Sequence, residues 1–454
     1  MEAVIKHYAK EENNVIWLLL LLLSITVYIN YKIAAGDIFN PALIVSFMFC
    51  IFAFICCFAN ISIGIDIENE VTIIVIMLGM GIFTVSNYFT NNSQECIEKI
   101  DKTNIYISAI WGIIGICSTS MAIYVNYNYI IEFASAYGVG GDFFESMVKY
   151  KIIMTFHDSD DILVYSPWYR GVLMAVSSCF AYLAIYIFMQ KKVLCGKFDL
   201  IYSTNILLYI LLSFMGGGRS EVFRIITAAM FMWYIFYRTK QGNNFNVKKV
   251  LAKLAFIMLL VSLAFIGFLF IIGRTNADLD FEYIIMALYI YAGAPIFNLD
   301  IYLGNPWQQT QGIFGEITFI KLINWIGQKF EVSSLVYEYD LPFLSYQNYN
   351  LGNVYTTFYA FTYDFGLVGV VVLTGIMAAI CTWLYNKVKA SSIIEYNISF
   401  IVICYAYLIN DLIMLSFSNR FYETIANIGT LYRFVFLYIL VHIANNVRIM
   451  KIHF

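Results

Sequence analysis

The sequence predicts an all-α, polytopic integral membrane protein with about 11 transmembrane helices and one large, partly helical external loop. Of its 454 residues, 61% are hydrophobic and 13% are charged, whereas an ordinary soluble domain has roughly 25% charged residues. The apolar residues also fall in long runs, many of which approach the ~20 residues that a helix needs to cross the hydrocarbon core. A net charge of −3 without a basic stripe argues against nucleic-acid binding.

Eleven apolar stretches meet or approach the spanning length, and together they predict a single polytopic domain over residues 1–454. The sixth and the seventh are the shortest of them, at 16 residues each. In chain order the predicted spans are Val15–Ala34, Ala42–Ala59, Val71–Tyr88, Ile105–Val125, Gly171–Gln190, Leu200–Met215, Val222–Tyr237, Leu251–Ile272, Gly366–Leu384, Ile398–Phe417 and Ile428–Ala444.

Lysine and arginine residues set the predicted orientation, because cytoplasmic loops retain positive charge. The loop after the fifth span contains Lys191, Lys192 and Lys197, and five basic residues lie between Arg238 and Lys253. If both loops are cytoplasmic, the segment Gly273–Phe365 lies outside, as a large periplasmic loop.

This predicted loop is acidic and rich in aromatic and amide side chains, as in the runs Trp307-Gln308-Gln309 and Tyr346-Gln347-Asn348-Tyr349-Asn350. Loops longer than ~12–15 residues are usually functional when they lack structure of their own. Two portions, Phe281–Tyr291 and Phe314–Phe330, have helical apolar spacing. Such a composition suits a sugar-binding surface, and it equally suits the aromatic belt of a membrane interface; both interpretations remain open.

Several arginines lie near the predicted external ends of the helices. A guanidinium near a membrane is costly unless it is paired or functional, and its planar fork matches phosphate oxygens. These arginines therefore suit a lipid-linked diphosphate, although Glu221 and Arg224 are also spaced as a structural i, i+3 pair. The residues are Arg219, Arg224, Arg274 and Arg420, with Arg170 and Arg433 on the same side.

Cofactor chemistry finds little support in the sequence. The four histidines are scattered and neither HExxH nor CxxC occurs, so we predict no metal site. A nucleotide domain needs a Gly-rich strand-to-helix unit, and no predicted cytoplasmic loop is long enough for one. We therefore predict no cofactor.

Four short motifs resemble those of the bacterial O-antigen polymerase family, also called Wzy-type oligosaccharide repeat unit polymerases. One pattern described for some members, an arginine followed eleven residues later by glycine, is absent after Arg219, Arg274 and Arg420. The motifs are Gly36-Asp37-Ile38-Phe39-Asn40-Pro41, Gly217-Gly218-Arg219-Ser220, Leu351-Gly352-Asn353-Val354-Tyr355-Thr356 leading to Tyr363-Asp364-Phe365-Gly366-Leu367-Val368-Gly369, and Ser418-Asn419-Arg420-Phe421-Tyr422-Glu423.

The resemblance implies a metal-independent glycosyltransferase at the periplasmic face of a bacterial inner membrane. Such an enzyme polymerises undecaprenyl-diphosphate-linked oligosaccharide units, as in the synthesis of the O antigen of lipopolysaccharide or a related surface polysaccharide. Its expected partners are that substrate and membrane lipid, with a chain-length regulator and a flippase as further candidates, and no nucleic acid.

The transfer reaction needs positive charge at the leaving diphosphate and a base for the acceptor hydroxyl. We assign the diphosphates to Arg219, Arg274 and Arg420, and the candidate bases are Glu221, Glu316, Asp364 and Glu423. Further candidates for substrate binding are Arg224, Asn353 and Tyr363, together with Glu316 and Glu423. An alternative for Asn353 is that it anchors a loop beside a helix.

Other functions remain open at this stage. A flippase or other transporter of lipid-linked sugars, an O-antigen ligase and a purely structural membrane protein would share much of this layout. Transporters often contain internal repeats, and no clear repeat is present between the two halves of the sequence, which favours an enzyme.

Overall fold

The computed structural model describes residues 15–64, 66–90, 108–156, 164–216, 220–242, 245–257, 281–307, 309–346, 349–391 and 397–452. These residues are predominantly helical, and one short β-hairpin lies among the helices. The predicted all-α class is therefore confirmed for the part of the chain that the structure describes.

Fifteen helical segments are described, and they are labelled here in chain order. They are α1 (Val15–Ile33), α2 (Pro41–Ile63), α3 (Glu70–Asn87), α4 (Ile110–Ala136), α5 (Phe143–Phe156), α6 (Trp168–Gln190), α7 (Leu200–Met215), α8 (Ser220–Gln241), α9 (residues 247–257), α10 (Phe281–Gly304), α11 (Ile320–Phe330), α12 (Thr357–Ala390), α13 (Phe400–Ile413), α14 (Arg420–Ile425) and α15 (Ile428–Ile452).

Seven of the described helices are long and apolar enough to cross a membrane, so the chain is a multi-pass membrane protein. Two shorter apolar helices, Leu200–Met215 and Phe400–Ser416, accompany them. The predicted span Leu251–Ile272 lies largely outside the described residues. The seven helices are Val15–Ile33, Pro41–Ile61, Glu70–Asn87, Ile110–Ala136, Trp168–Cys195, Thr357–Ala390 and Ile428–Asn446.

The first turns of α2 and α7 are set by side-chain caps. The Asn40 side chain accepts hydrogen bonds from the amides of Ala42 and Leu43, and Pro41 occupies the first helical position, where its missing N–H group costs nothing. Asp199 accepts from the amides of Ile201 and Tyr202 in the same way. At the end of α2, Gly64 adopts φ 73°, a left-handed conformation that glycine adopts readily.

The structure differs from the sequence prediction between α4 and α6. Helix α4 continues to Ala136, beyond the predicted end at Val125, and α5 occupies residues that were predicted as loop. Hydropathy decreases after Val125, but buried positions continue at helical spacing through Asn126, Tyr129, Ile130 and Phe133. Tyr150 of α5 packs edge-on against Tyr129 and Phe133, so α5 covers this face.

The described residues form two compact units. The first unit lies within Met1–Asn92, Ala277–Asn386 and Asp411–Asn427, and the second within Ser93–Asn276, Lys387–Asn410 and Ile428–Phe454. In the first, α1, α2 and α3 pack on one another and α10 packs on α2 and α3. In the second, α4, α6 and α7 pack together, and α8 and α15 pack on α6.

A buried asparagine network holds the first three helices together. The Asn40 side chain donates to Asn87 Oδ1 at 2.8 Å, and Asn87 Nδ2 donates to Asn30 Oδ1 at 3.1 Å. All three residues are fully buried. Amide hydrogen bonds of this kind join helices in a membrane, where apolar contact alone discriminates weakly.

The described residues between 305 and 356 of the first unit form a folded segment between α10 and α12. It contains α11 and an antiparallel hairpin of β1 (Leu344–Tyr346) and β2 (Tyr349–Gly352), with Ser345 opposite Asn350. Helix α10 is longer than the predicted helical portion Phe281–Tyr291. Helix α11 is shorter than the predicted portion Phe314–Phe330, because residues 315–319 form turns, in which the amides of Ile317 and Thr318 donate to the Asp364 carboxylate.

Helix α12 is broken at Gly366, which has φ 62° and ψ −154°. Non-glycine residues essentially never adopt this conformation. The residues before the break belong to the predicted loop, and those after it match the predicted span. The glycine therefore separates the two parts of α12.

Candidate functional site

The ten residues predicted for the site are distributed unevenly in the structure. Arg219 and Arg274 lie outside the described residues. Glu221 and Arg224 belong to the second unit. The first unit contains Glu316, Asn353, Tyr363, Asp364, Arg420 and Glu423.

Glu316 is fully buried, and both of its carboxylate oxygens accept hydrogen bonds. Oε1 accepts from the amide and hydroxyl of Thr310 and from the Tyr363 hydroxyl, at 2.7–3.1 Å, and Oε2 accepts from the amides of Gln311 and Gly312. Burial raises the pKa of Glu316, but these hydrogen bonds outweigh it, so the pKa lies below its ordinary value. This carboxylate clamps residues 310–316 and is poorly suited to act as a base.

The Asp364 carboxylate also hydrogen bonds to the backbone of the folded segment. Its two carboxylate oxygens accept from the amides of Ile317 and Thr318, at 3.2 and 2.7 Å. Gln309 Nε2 donates to the carbonyls of Tyr363 and Asp364. The geometry therefore favours an anchoring role for Asp364, because its lone pairs are directed at loop amides.

The tyrosines and tryptophan of this region form a packed cluster. The hydroxyl of Tyr363 donates to Glu316 and accepts from the amide of Thr310. Trp307 Nε1 donates to the Tyr359 hydroxyl at 2.9 Å, and the hydroxyls of Tyr339 and Tyr359 lie 3.1 Å apart. Their polar groups thus satisfy one another, and these rings form part of the core of the first unit.

Arg420 and Glu423 form a partly exposed ion pair on α14. Arg420 Nη1 lies 3.1 Å from Glu423 Oε2, with 38% and 31% of the two side chains exposed. Exposed pairs of this kind contribute little to stability, so both side chains can exchange partners. Asn353 is half-buried beside β2, next to Gly352 and Val354, whose carbonyls accept from Asn298 Nδ2. These bonds hold the chain on both sides of Asn353 through Asn298, and both interpretations of Asn353 stay predictions.

In the second unit, two arginines contact the same tyrosine. The Arg224 guanidinium lies 4.5 Å from the centroid of the Tyr407 ring, and Arg433 Nη1 donates to the Tyr407 hydroxyl at 3.1 Å. Arg224 Nε also lies 3.8 Å from Glu221 Oε1. We call Glu221, Arg224, Tyr407 and Arg433 the arginine cluster.

The arginine cluster has an excess of positive charge. It contains two guanidinium groups and one carboxylate, and the Arg224 side chain is only 8% exposed. Glu221 Oε2 is buried and accepts no hydrogen bond from the described residues. Desolvated cations attract anions strongly. Because the guanidinium fork fits phosphate oxygens, the cluster can hold a phosphate or diphosphate group, with one carboxylate beside it.

The sequence analysis placed Arg433 on the same side as the other arginines, but it did not include Arg433 or Tyr407 among the site residues and did not predict the contact between them. A charged residue inside an apolar helix is itself a functional signal, and Arg433 lies in such a helix. No sequence feature distinguishes Tyr407 from the other tyrosines of the chain, which has 36 in all. Its position between the arginines depends on how α8, α13 and α15 pack.

No protein-family model, curated protein or solved structure matches this chain. Within the described ranges, no group of three or more His, Cys, Asp or Glu side chains is arranged to hold a metal ion. The function is therefore inferred from the chemistry of the residues themselves.

Proposed function

We propose that the chain is a polysaccharide polymerase that joins undecaprenyl-diphosphate-linked oligosaccharide units at the periplasmic face of a bacterial inner membrane. The arginine cluster carries this proposal, because a diphosphate in the membrane needs desolvated cations that fit its oxygens. The multi-pass helical architecture and the resemblance of four short motifs to those of the O-antigen polymerase family support it.

The reaction transfers the growing glycan to a new unit. The acceptor hydroxyl oxygen forms a bond to the donor anomeric carbon, and the bond between that carbon and the diphosphate oxygen breaks. Negative charge then accumulates on the leaving diphosphate, which Arg224 and Arg433 stabilise through their guanidinium groups. The acceptor proton passes to a carboxylate.

Among the candidate bases, Glu221 is favoured by its partners. The carboxylates of Glu316 and Asp364 accept hydrogen bonds from several loop groups, whereas Glu221 Oε2 has no hydrogen-bond partner in the described residues. Glu221 also lies beside Arg224, where the leaving group is proposed to bind. Glu423 is the second choice, because Arg420 Nη1 donates a hydrogen bond to its Oε2 at 3.1 Å, whereas Glu221 lies 3.8 Å from Arg224.

Deletion of the gene distinguishes polymerase from ligase and flippase. Loss of a polymerase leaves the lipid A core capped with a single repeat unit, and loss of a ligase leaves a core without any repeat unit. Loss of a flippase traps the lipid-linked unit on the cytoplasmic side. We expect the single capped unit, and either other phenotype would contradict the proposed activity.

The arginine cluster is tested by substitution in the deletion strain. We expect Arg224→Ala and Arg433→Ala to reduce the product to single units, because the diphosphate loses its cations. Lysine substitutions should restore only part of the chain length, since lysine keeps the charge but loses the fork geometry. Glycan length is resolved on gels, with protein levels measured in parallel.

Arg238→Ala is the matched control, because Arg238 lies on α8 and donates to Tyr234, away from the named cluster. This variant should retain full-length polymer. Full-length polymer from both Arg224→Ala and Arg433→Ala, at normal protein levels, would refute the assignment.

A further inference from the structure

The first unit contains a cavity of about 350 Å³ that the proposed reaction has not used. It lies between the loop that joins α2 to α3, the last turns of α10 and the hairpin. Its volume is at the lower end of the ~300–1,000 Å³ typical of small-molecule sites. The cavity therefore has room for a small polar ligand.

Asp300 fixes one wall of this cavity. Its carboxylate is buried and accepts hydrogen bonds from the amides of Glu68 and Asn69, at 3.0 and 3.2 Å, and from the Thr72 hydroxyl at 2.6 Å. These bonds hold the loop before α3 against α10. Contacts within the protein therefore set the position of this wall.

The opposite wall is fixed by the hairpin. The Tyr346 hydroxyl donates to the carbonyl of Gly64, and Asn298 Nδ2 donates to the carbonyl of Gly352 at the end of β2. Leu351 and Phe297 add apolar surface to the lining. A tyrosine ring with aliphatic surface beside it suits the CH face of a sugar.

The ionisable side chains that line the cavity are all acidic. Asp66, Glu68 and Asp300 contribute carboxylates, and neither lysine nor arginine lines the cavity among the described residues. Carboxylates accept hydrogen bonds from hydroxyl or ammonium groups, and they repel another carboxylate. The apolar side chains of the lining favour an organic ligand over a metal ion.

We infer that this cavity is a saccharide subsite that accepts neutral or amino sugars and discriminates against uronic acids. The inference rests on the proposed function, because it takes the ligand to be part of the glycan that the protein handles. Asp66 and Glu68 are then specificity-determining residues, and Asp300 is a positioning residue.

Direct binding to the purified full-length protein in nanodiscs tests the subsite. Isothermal titration at fixed ionic strength compares triglucosamine, tri-N-acetylglucosamine and trigalacturonate. We expect triglucosamine to bind about tenfold or more tightly than trigalacturonate, because of the carboxylates, with the neutral sugar between them. Asp66→Asn combined with Glu68→Gln should reduce this preference to about threefold or less.

Two further variants exclude trivial explanations. Glu338→Gln combined with Asp340→Asn removes two exposed carboxylates of the segment 305–356 that do not line the cavity, and it should leave the preference unchanged. Ile301→Trp places a bulky side chain at a partly exposed lining position and should abolish binding of all three sugars. Equal binding of triglucosamine and trigalacturonate, an equal effect of the control pair, or unchanged binding by the tryptophan variant would each overturn the inference.

This binding measurement does not depend on turnover. If the deletion strain still makes long glycan but the sugar preference is found, the polymerase proposal fails and the subsite stands. If the strain makes single units but no sugar preference is measured, the subsite fails and the polymerase proposal stands.

Discussion

Glu316 and Glu221 are both acidic residues of the candidate site, but their partners differ. Five donors surround the Glu316 carboxylate, whereas Glu221 lies at the start of α8 with Arg224 one turn further on. A carboxylate that is saturated with donors stabilises a loop. One with an oxygen lacking a partner in the described residues is better suited to accept a proton.

The clamp at Glu316 predicts a pH-dependent stability. Because the folded-state pKa lies below the ordinary value of 4.5, this group stabilises the fold above about pH 4.5, and the effect is lost as the pH falls through the folded-state pKa. Glu316→Gln should lower the free energy of unfolding by about 1.5–3 kcal/mol at pH 7. The difference from the natural protein should shrink below pH 4.

Thermal unfolding in detergent, followed by tryptophan fluorescence between pH 3 and 8, measures this effect. Glu338→Gln is the control, since Glu338 is exposed on the same segment. An unfolding temperature at pH 7 that is the same for Glu316→Gln and the natural protein would show that the clamp does not stabilise the segment.

Local sequence spacing predicted some contacts of the candidate site and could not predict others. The i, i+3 spacing of Glu221 and Arg224 corresponds to a contact in the structure. The hydrogen bond between Arg433 and Tyr407 joins residues on different helices, and no local pattern encodes it. The same holds for Glu316 and Tyr363, which are 47 positions apart.

At the scale of elements, α12 has two parts. The first packs against the folded segment, the second is apolar enough to cross a membrane, and the apolar pattern predicted only the second. The predicted span began at Gly366, because the apolar run begins there. Residues 357–365 are also helical, and Tyr359 and Tyr363 pack against Trp307 and Tyr339 of the folded segment. The break at Gly366 lies where the part that packs against the folded segment ends and the apolar part begins.

Substitution of Gly366 tests this break. Gly366→Ala should lower the free energy of unfolding by about 1–3 kcal/mol, because alanine is strained at φ 62°, ψ −154°. Gly375→Ala on the same helix is the matched control, since no heavy atom lies within 4 Å of its added Cβ. That variant should be as stable as the natural protein or slightly more so, because alanine favours helix.

Scanning fluorimetry in one detergent compares the unfolding temperatures of the two variants. If Gly366→Ala and Gly375→Ala unfold at the same temperature, the conformation at Gly366 does not require glycine.

Boundaries of elements were predictable where composition changes abruptly. Helix α7 has the bounds that its apolar run and the Asp199 cap indicate. Helix α5 was missed, because its sequence Phe143–Phe156 mixes lysine and glutamate with apolar residues. Its helical structure depends on packing against α4, which hydropathy does not report.

At the scale of the whole molecule, composition alone predicted a multi-pass membrane protein, and seven long apolar helices confirm that class. The count of about 11 spans and the external position of Gly273–Phe365 stay predictions. Helix α8 illustrates why the number of spans is difficult to determine. It contains the charged residues Glu221, Arg224, Arg238 and Lys240, and the first two belong to the arginine cluster.

Reconstituted polymerisation tests the central claim most directly. The purified protein is placed in liposomes with an undecaprenyl-diphosphate-linked oligosaccharide as the only substrate, without nucleotide and with a metal chelator present. Products are resolved by size on a gel, and released undecaprenyl diphosphate is measured. We predict a ladder of longer glycans with one undecaprenyl diphosphate released for each unit added, and no ladder with Arg433→Ala. A substrate that stays a single unit with the natural, folded protein would contradict the account.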